Sequence, residues 1–186
     1  MRVIAGALKG RRLRTPTWDG LRPTSDKLRE TLFNLLAPAV AGARVLDGYA
    51  GTGAVGIEAI SRGAREVTFV EHDRRAQALI AKNLAACGIT EGYAIIGSTV
   101  LHAIETLRNG AGVNVVNVFD IVFLDPPYAS DIHDVLQTVG AIVKEDGIVI
   151  VEHARRSQPR DAAGGLTRTR EVRSGDSSLS IYACQR

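Results

Sequence analysis

Leu28, Leu32, Leu35 and Leu36 recur at i, i+4, i+7 and i+8, the spacing of one buried helix face, and Ser25 ahead of them suits an N-cap. A helix is therefore expected from near Ser25, ended by Pro38. Upstream, Arg2–Ala5 and Arg11–Arg14 read as two short strands around a turn containing Gly6 and Gly10, and the run from Thr15 to Thr24, with Pro16, Gly20 and Pro23, reads as a loop. From Arg44 onward, apolar runs of strand length alternate with stretches of helical period. They predict strands at 44–47, 66–70, 93–96, 119–124 and 147–152, and helices at 54–62, 73–87, 98–108 and 131–143. Gly63 and Gly88 fall where C-caps belong. The tail changes period: 166–173 and 178–184 alternate polar and apolar around Ser174-Gly175-Asp176-Ser177, the pattern of a closing antiparallel hairpin.

Such alternation builds a mostly parallel sheet with helices on both faces, so the expected class is α/β and Rossmann-like. Residues 1–38 are expected to form a β-hairpin and helix extension, and 39–186 the main domain. A chain of 186 residues with 45% apolar content can bury a full core. No stretch approaches the roughly 20 apolar residues of a membrane span, and Met1-Arg2-Val3-Ile4-Ala5-Gly6 is no signal peptide, so a cytoplasmic protein without a membrane partner is expected. Cys87 and Cys184 form no CxxC and read as core thiols. His72, His102, His133 and His153 lack ligand spacing, and no metal is expected.

Charge is unevenly spread. Residues 1–36 carry eight basic and three acidic groups, a net +5, while the other 150 residues are at −2. An excess gathered at one end suits either a polyanion partner or a solvated basic arm.

Two motifs carry chemistry. In Asp47-Gly48-Tyr49-Ala50-Gly51-Thr52-Gly53, a strand ends and a helix opens. Gly51 and Gly53 allow close backbone approach, and the free N–H groups of the helix start favour an anion. The run Gly51-x-Gly53-x-x-Gly56 also fits a dinucleotide fingerprint, but here three residues separate Asp47 from the first glycine. An aspartate at that place suits a ligand with a cationic amine as well as a carboxylate, as S-adenosylmethionine has. Glu71, at the tip of the second strand, is placed to accept both hydroxyls of a ribose; Asp73 is the fallback acceptor and a candidate helix cap. Tyr49 within the turn and His72 beside Glu71 join this candidate cofactor set.

The second motif, Asp125-Pro126-Pro127-Tyr128, follows the fourth strand directly. Two prolines fix the backbone and leave carbonyls pointing outward. The Asp125 carboxylate and the Pro126 carbonyl can each accept one N–H of an aromatic amine, which turns its lone pair toward an incoming methyl group. Tyr128 can stack on the base. In-line transfer of this kind rests on positioning and electrostatics, and the base must leave its helix or stack.

Together these motifs resemble the amino-methyltransferases of nucleic acids. Arg2-Val3-Ile4-Ala5-Gly6, Gly10-Arg11-Arg12-Leu13 and the run Leu21-Arg22-Pro23-Thr24-Ser25-Asp26-Lys27-Leu28-Arg29-Glu30-Thr31-Leu32-Phe33-Asn34-Leu35-Leu36 are similar to the RsmD family, bacterial enzymes that methylate N2 of one guanine in 16S rRNA. The resemblance spans essentially the whole chain. It implies a seven-stranded class I methyltransferase fold, S-adenosylmethionine as cofactor, and 16S rRNA, within a small-subunit assembly intermediate, as partner; one compact domain makes a monomer the expected state. Arg11, Arg12, Arg14, Arg22 and Thr24 are the expected RNA contacts. Two positions depart from the pattern. Gly48 replaces a larger residue, and Gly97-Ser98-Thr99 stands where an Asp or Asn often meets the adenine amine, leaving that role to Ser98 or Thr99. An adenine-N6 DNA methyltransferase also carries Asp-Pro-Pro-Tyr, but there is no room for its usual target-recognition region. A non-catalytic RNA-binding or assembly protein on this fold would have little need of Asp47, Glu71 and Asp125.

Overall fold

The computed structural model describes residues 1–19, 24–109, 118–127 and 132–185. Its strands are β1 (Arg44–Gly48), β2 (Glu66–Val70), β3 (Tyr93–Ile96), β4 (Phe119–Leu124), β5 (Val143–Ala154), β6 (Ala162–Ala163), β7 (Leu166–Ser174) and β8 (Ser177–Cys184). The helices are α1 (Asp26–Leu36), α2 (Ala54–Ser61), α3 (Arg74–Cys87), α4 (Val100–Arg108) and α5 (His133–Val139). All strands join one sheet in the order β3-β2-β1-β4-β5-β8-β7-β6. The first five run parallel, and β8 enters antiparallel to β5. The seven expected strands are thus present, and the two-residue β6 extends the edge. No helix among the described residues is long and apolar enough to cross a membrane.

Strand alternation divides the core. Val45, Phe69, Phe123 and Ile150 pack under α1, α2 and α3 with Leu28, Leu32, Phe33, Ile57, Ile80 and Leu84. Leu46, Val70, Leu124 and Val151 face the other way, against Val100 and Ile104 of α4 and Val135 and Leu136 of α5. Val3 and Leu13 lie in the first of these cores, so the N-terminal extension shares its packing with the sheet.

Three expectations are corrected. Arg2–Ala5 and Arg11–Arg14 do not form two strands but meet at a single antiparallel bridge, Arg2 to Arg12. The reason is Glu58 of α2, buried beneath them. It accepts from the backbone amides of Ile4 (2.7 Å) and Ala5 (2.9 Å), and Ser61 Oγ accepts from Leu8 (2.9 Å). Side-chain acceptors thus take the Ile4, Ala5 and Leu8 amides, while backbone pairing is kept around the bridge, where Val3 donates to the Arg11 carbonyl at 2.9 Å and Leu13 to the Met1 carbonyl at 3.1 Å. Glu58 is neutralised by Arg62 at 2.8 Å and by the fully buried Arg29 of α1 at 3.8 Å.

The helix expected over 131–143 is shorter, because α5 ends at Val139 and a 3-10 turn over Gly140–Ile142 leads straight into β5. β5 in turn starts four residues before its expected position. Phe119 pairs with Val143 but Ile121 with Ile148, so the polar Lys144-Glu145-Asp146 run bulges out of register, and Lys144 Nζ reaches Asp120 Oδ1 at 2.5 Å. The α1 helix with its Ser25 cap and the closing β7–β8 hairpin stand as expected.

Candidate active site

Parallel strands all end on one side, so β1, β2, β4 and β5 deliver their last residues to one crevice, where the strand order reverses between β1 and β4. Asp47, Glu71, Asp125 and Glu152 stand at or near those ends. The cavity between them has a volume of about 540 Å³. Trp18, Thr24 and Leu28 from the N-terminal segment form part of its wall, together with Gly51, Glu71, Asp125, Pro126 and Glu152.

The glycine turn is built as a clasp. Gly53 takes a φ of +75° and caps α2 without a side chain. A Cβ on Gly56 would meet the Phe69 ring at 2.2 Å, so glycine there lets α2 press on β2. Asp47 Oδ2 accepts from the Gly56 amide at 2.8 Å, satisfying one of the open N–H groups at the helix start. Asp47 is 2% exposed. Its burial raises the pKa to about 8 against the lowering effect of the Gly56 amide, and the Asp125 and Glu71 carboxylates push the same way as burial. Tyr49 holds a φ of +62°, the one non-glycine residue in the left-handed region among those described, and lines the main cavity and the two beside it. Gly48 fits its place for a packing reason: a Cβ there would meet Leu124 Cδ2 at 2.7 Å.

Glu71 fastens the turn to β2. Its Oε2 accepts from the Gly51 amide at 2.9 Å and its Oε1 from the Asp73 amide at 2.8 Å, with His72 Nδ1 at 3.2 Å from Oε1. A carboxylate oxygen can accept more than one bond, so Glu71 retains capacity for hydroxyl donors in the cavity it lines. Asp73 instead caps α3 by accepting from the Arg75 amide at 2.7 Å. Hydrogen bonds from Arg75 hold its carboxyl down to about 2. Arg75 also lies 5.2 Å from the Trp18 ring centroid, tying the N-terminal segment to the rim.

Ser98 and Thr99 line a neighbouring cavity of about 230 Å³, walled by Val70, Val100, Leu101 and Glu71. The Thr99 hydroxyl is used as the cap of α4, accepting from the His102 amide, and Ser98 Oγ donates to the Thr99 carbonyl. On the opposite side, the Asp125 amide bonds to the Gly48 carbonyl at 3.4 Å, anchoring the proline turn to β1. Thr24 Oγ1 donates to Asp125 Oδ2 at 3.4 Å, so Thr24 stands at the cavity. Pro126 is buried and Pro127 exposed. Tyr128 and Arg22 lie outside the described residues. Arg11, Arg12 and Arg14 are exposed and do not line the cavity.

Sequence reasoning missed Trp18, Arg75 and Glu152. For Glu152 a signal existed, since it closes the fifth predicted strand as Glu71 follows the second. The described charges of the cavity lining are Asp19, Glu71, Asp73, Asp125 and Glu152 against Arg75, with His72 at the edge. Such a cavity favours cations and hydrogen-bond donors and repels phosphate.

Comparisons with known proteins agree with this geometry. A family model described as "Conserved hypothetical protein 95" matches residues 1–183. "Ribosomal RNA small subunit methyltransferase D" of Haemophilus influenzae is 33% identical over 188 residues, covering 98% of this chain and 93% of that protein. The protein of the same name from Escherichia coli (strain K12) is 42% identical over 129 residues, 69% of this chain and 60% of its own length. Among solved structures, "Putative methyltransferase yhhF from Escherichia coli" superposes with a TM-score of 0.82 at 31% identity, covering 100% of this chain and 98% of that one.

Proposed function

The chain belongs to the RsmD family, matched as conserved hypothetical protein 95, and from that premise we propose that it transfers a methyl group from S-adenosylmethionine to the exocyclic N2 amine of a guanine in 16S rRNA. The observation that carries this reading is the meeting of the Gly51–Glu71 clasp and the Asp125-Pro126 turn on one cavity. A donor-binding half and an amine-binding half thus share one space.

The residues fit the donor. Glu71 takes the ribose hydroxyls, the apolar slot beside Ser98 and Thr99 takes a flat ring, and the acidic lining favours a ligand with sulfonium and ammonium charges. Asp47 stands in a smaller crevice with Tyr49, Gly51 and Asp125, at the amino-acid end of such a ligand. When bound, S-adenosylmethionine supplies an electrophilic methyl group on a cationic sulfur.

The chain's own groups do the rest. The Asp125 carboxylate accepts one hydrogen of the target amine and the Pro126 carbonyl the other, drawing the nitrogen lone pair out of conjugation and toward the donor. Pro126 and Pro127 keep that carbonyl from turning, and the Asp125–Gly48 bond fixes the turn's distance from the donor clasp. As the new N–C bond forms, the amine becomes cationic, and Asp125 stabilises that charge before taking up the proton.

The RNA backbone stays outside. A phosphate would meet mostly carboxylates in the cavity, against the single described arginine Arg75, whereas Arg11, Arg12 and Arg14 are exposed on the extension formed by residues 1–38. A single flipped base therefore enters while the arm holds the strand. The described lining of the cavity comes from one chain, which suits a monomer working on a small-subunit assembly intermediate.

The test is transfer of labelled methyl groups to small-subunit particles from a strain lacking the gene. Label on one guanine of 16S rRNA, absent when particles come from the parent strain, is expected. Label on adenine, or on both particle types equally, would overturn the proposal.

A further inference from the structure

Asp125 and Pro126 account for both hydrogens of the target amine, yet a second carboxylate shares the cavity. β4 and β5 are parallel with Leu124 opposite Val151, so the next residues in register are Asp125 and Glu152. Side chains alternate along strands. Leu124 and Val151 belong to the core under α4 and α5, whereas Phe123 and Ile150 belong to the one under α1. Asp125 and Glu152 follow Phe123 and Ile150, and both line the 540 Å³ cavity. Glu152 is 5% exposed, and its Oε1 accepts from Ser177 Oγ at 3.1 Å. The flanking β8 pairs Leu179 with Glu152, so the carboxylate sits on a strand braced from both sides.

When ionised, two carboxylates side by side are acceptors only. The Watson–Crick edge of guanine matches them, because its N2 amine neighbours N1–H and the two donors point the same way. Adenine and cytosine instead place an acceptor nitrogen beside their amine, which would face Glu152 as lone pair against charge.

Resting on the proposed guanine-N2 reaction, we infer that Glu152 accepts the guanine N1–H and is the residue that restricts transfer to guanine. A site built to bond a group rejects analogues lacking it far more strongly than an apolar pocket does. The clash with adenine or cytosine adds a repulsive element to that selection.

The experiment compares guanine with 2-aminopurine, which keeps the N2 amine but has an acceptor at N1. Small subunits reconstituted from 16S rRNA bearing either base at the modified position are methylated by the full chain. The wild type is expected to prefer guanine on the order of 10²-fold or more in kcat/KM. Glu152→Gln, whose amide can donate to an N1 acceptor, should lose most of the guanine rate and bring the two bases within about tenfold, with a smaller effect on S-adenosylmethionine affinity than on the guanine rate. Glu152→Asp should keep the preference for guanine at a lower rate. Equal use of both bases by the wild type, or an unaltered preference in Glu152→Gln, overturns the assignment while leaving the proposed reaction standing. Absence of any methyl on guanine N2 with the wild type overturns both.

Discussion

The hydroxyl of Thr24, at the mouth of α1, donates to the carboxylate of Asp125, 101 residues later in the chain, at 3.4 Å. The contact joins the N-terminal segment to the turn proposed to bind the amine, so in the proposed mechanism that segment helps to aim Asp125. Thr24→Val, similar in shape but without the hydroxyl, should lower kcat by roughly 2- to 10-fold, the worth of one ordinary hydrogen bond. Donor affinity should stay at the wild-type value by calorimetry. Unchanged single-turnover rates would show that Asp125 is aimed by other contacts.

Glu71 is expected to show the opposite signature. Glu71→Ala should weaken S-adenosylmethionine binding by roughly 1.5–3 kcal/mol, the scale of hydrogen bonds to a charged group. Because Glu71 also holds the Gly51 and Asp73 amides, the comparison includes Glu71→Gln, which keeps one carbonyl acceptor, with thermal unfolding as a check on the clasp. Wild-type affinity in a folded Glu71→Ala protein would move the ribose contact elsewhere.

Asp47 predicts a pH dependence of stability. Its folded pKa is raised from 3.8 to about 8 by burial. Between those values the folded state holds a proton that the unfolded chain has released, so stability should fall as pH rises through that window. Asp47→Asn should remove this slope. The variant should gain on the wild type by a few kcal/mol as pH goes from about 4 to about 8, while losing donor affinity. Parallel stability-versus-pH curves for the two proteins would contradict the assignment.

Much of the candidate site was legible because its signals are local. A carboxylate at a strand tip, glycines at a strand-to-helix turn and an Asp-Pro-Pro turn each show within a few residues, and Asp47, Gly51, Glu71 and Asp125 all lie at one end of the sheet. What escaped depended on distant pairing. Glu152 closes β5 as Glu71 follows β2, but its place beside Asp125 comes from the register of β5 against β4, which neither strand alone shows. Glu58 reads as an ordinary helix residue until the amides of Ile4 and Ala5 arrive from 54 and 53 residues away. The same cause turned two expected strands into one bridge. β6, two residues long, carries no period to detect.

That anchoring also decides how the proposed RNA arm should be probed. Deleting the segment would strip Glu58 of its backbone donors and Arg29 of its bond to the Arg2 carbonyl. Point changes are cleaner. Replacing Arg11, Arg12 and Arg14 together by Ala should leave donor binding intact. It should also flatten the dependence of log K on log salt for RNA by about 0.7–0.9 for each phosphate that the arm no longer neutralises. Filter binding across a salt series that gives superimposable lines would show that the arm does not grip the strand.

The central claim, that Asp125 meets the N2 amine of a guanine in 16S rRNA, is tested most directly by nucleoside mass spectrometry of 16S rRNA from a strain lacking the gene. The null strain is complemented with the wild type, Asp125→Asn or Asp125→Ala. The wild type should restore one N2-methylguanosine, Asp125→Asn a part of it through the amide oxygen, and Asp125→Ala almost none, with S-adenosylmethionine affinity in vitro near normal in all three. Full restoration by Asp125→Ala, or an unchanged N2-methylguanosine content in the null strain, would contradict the account.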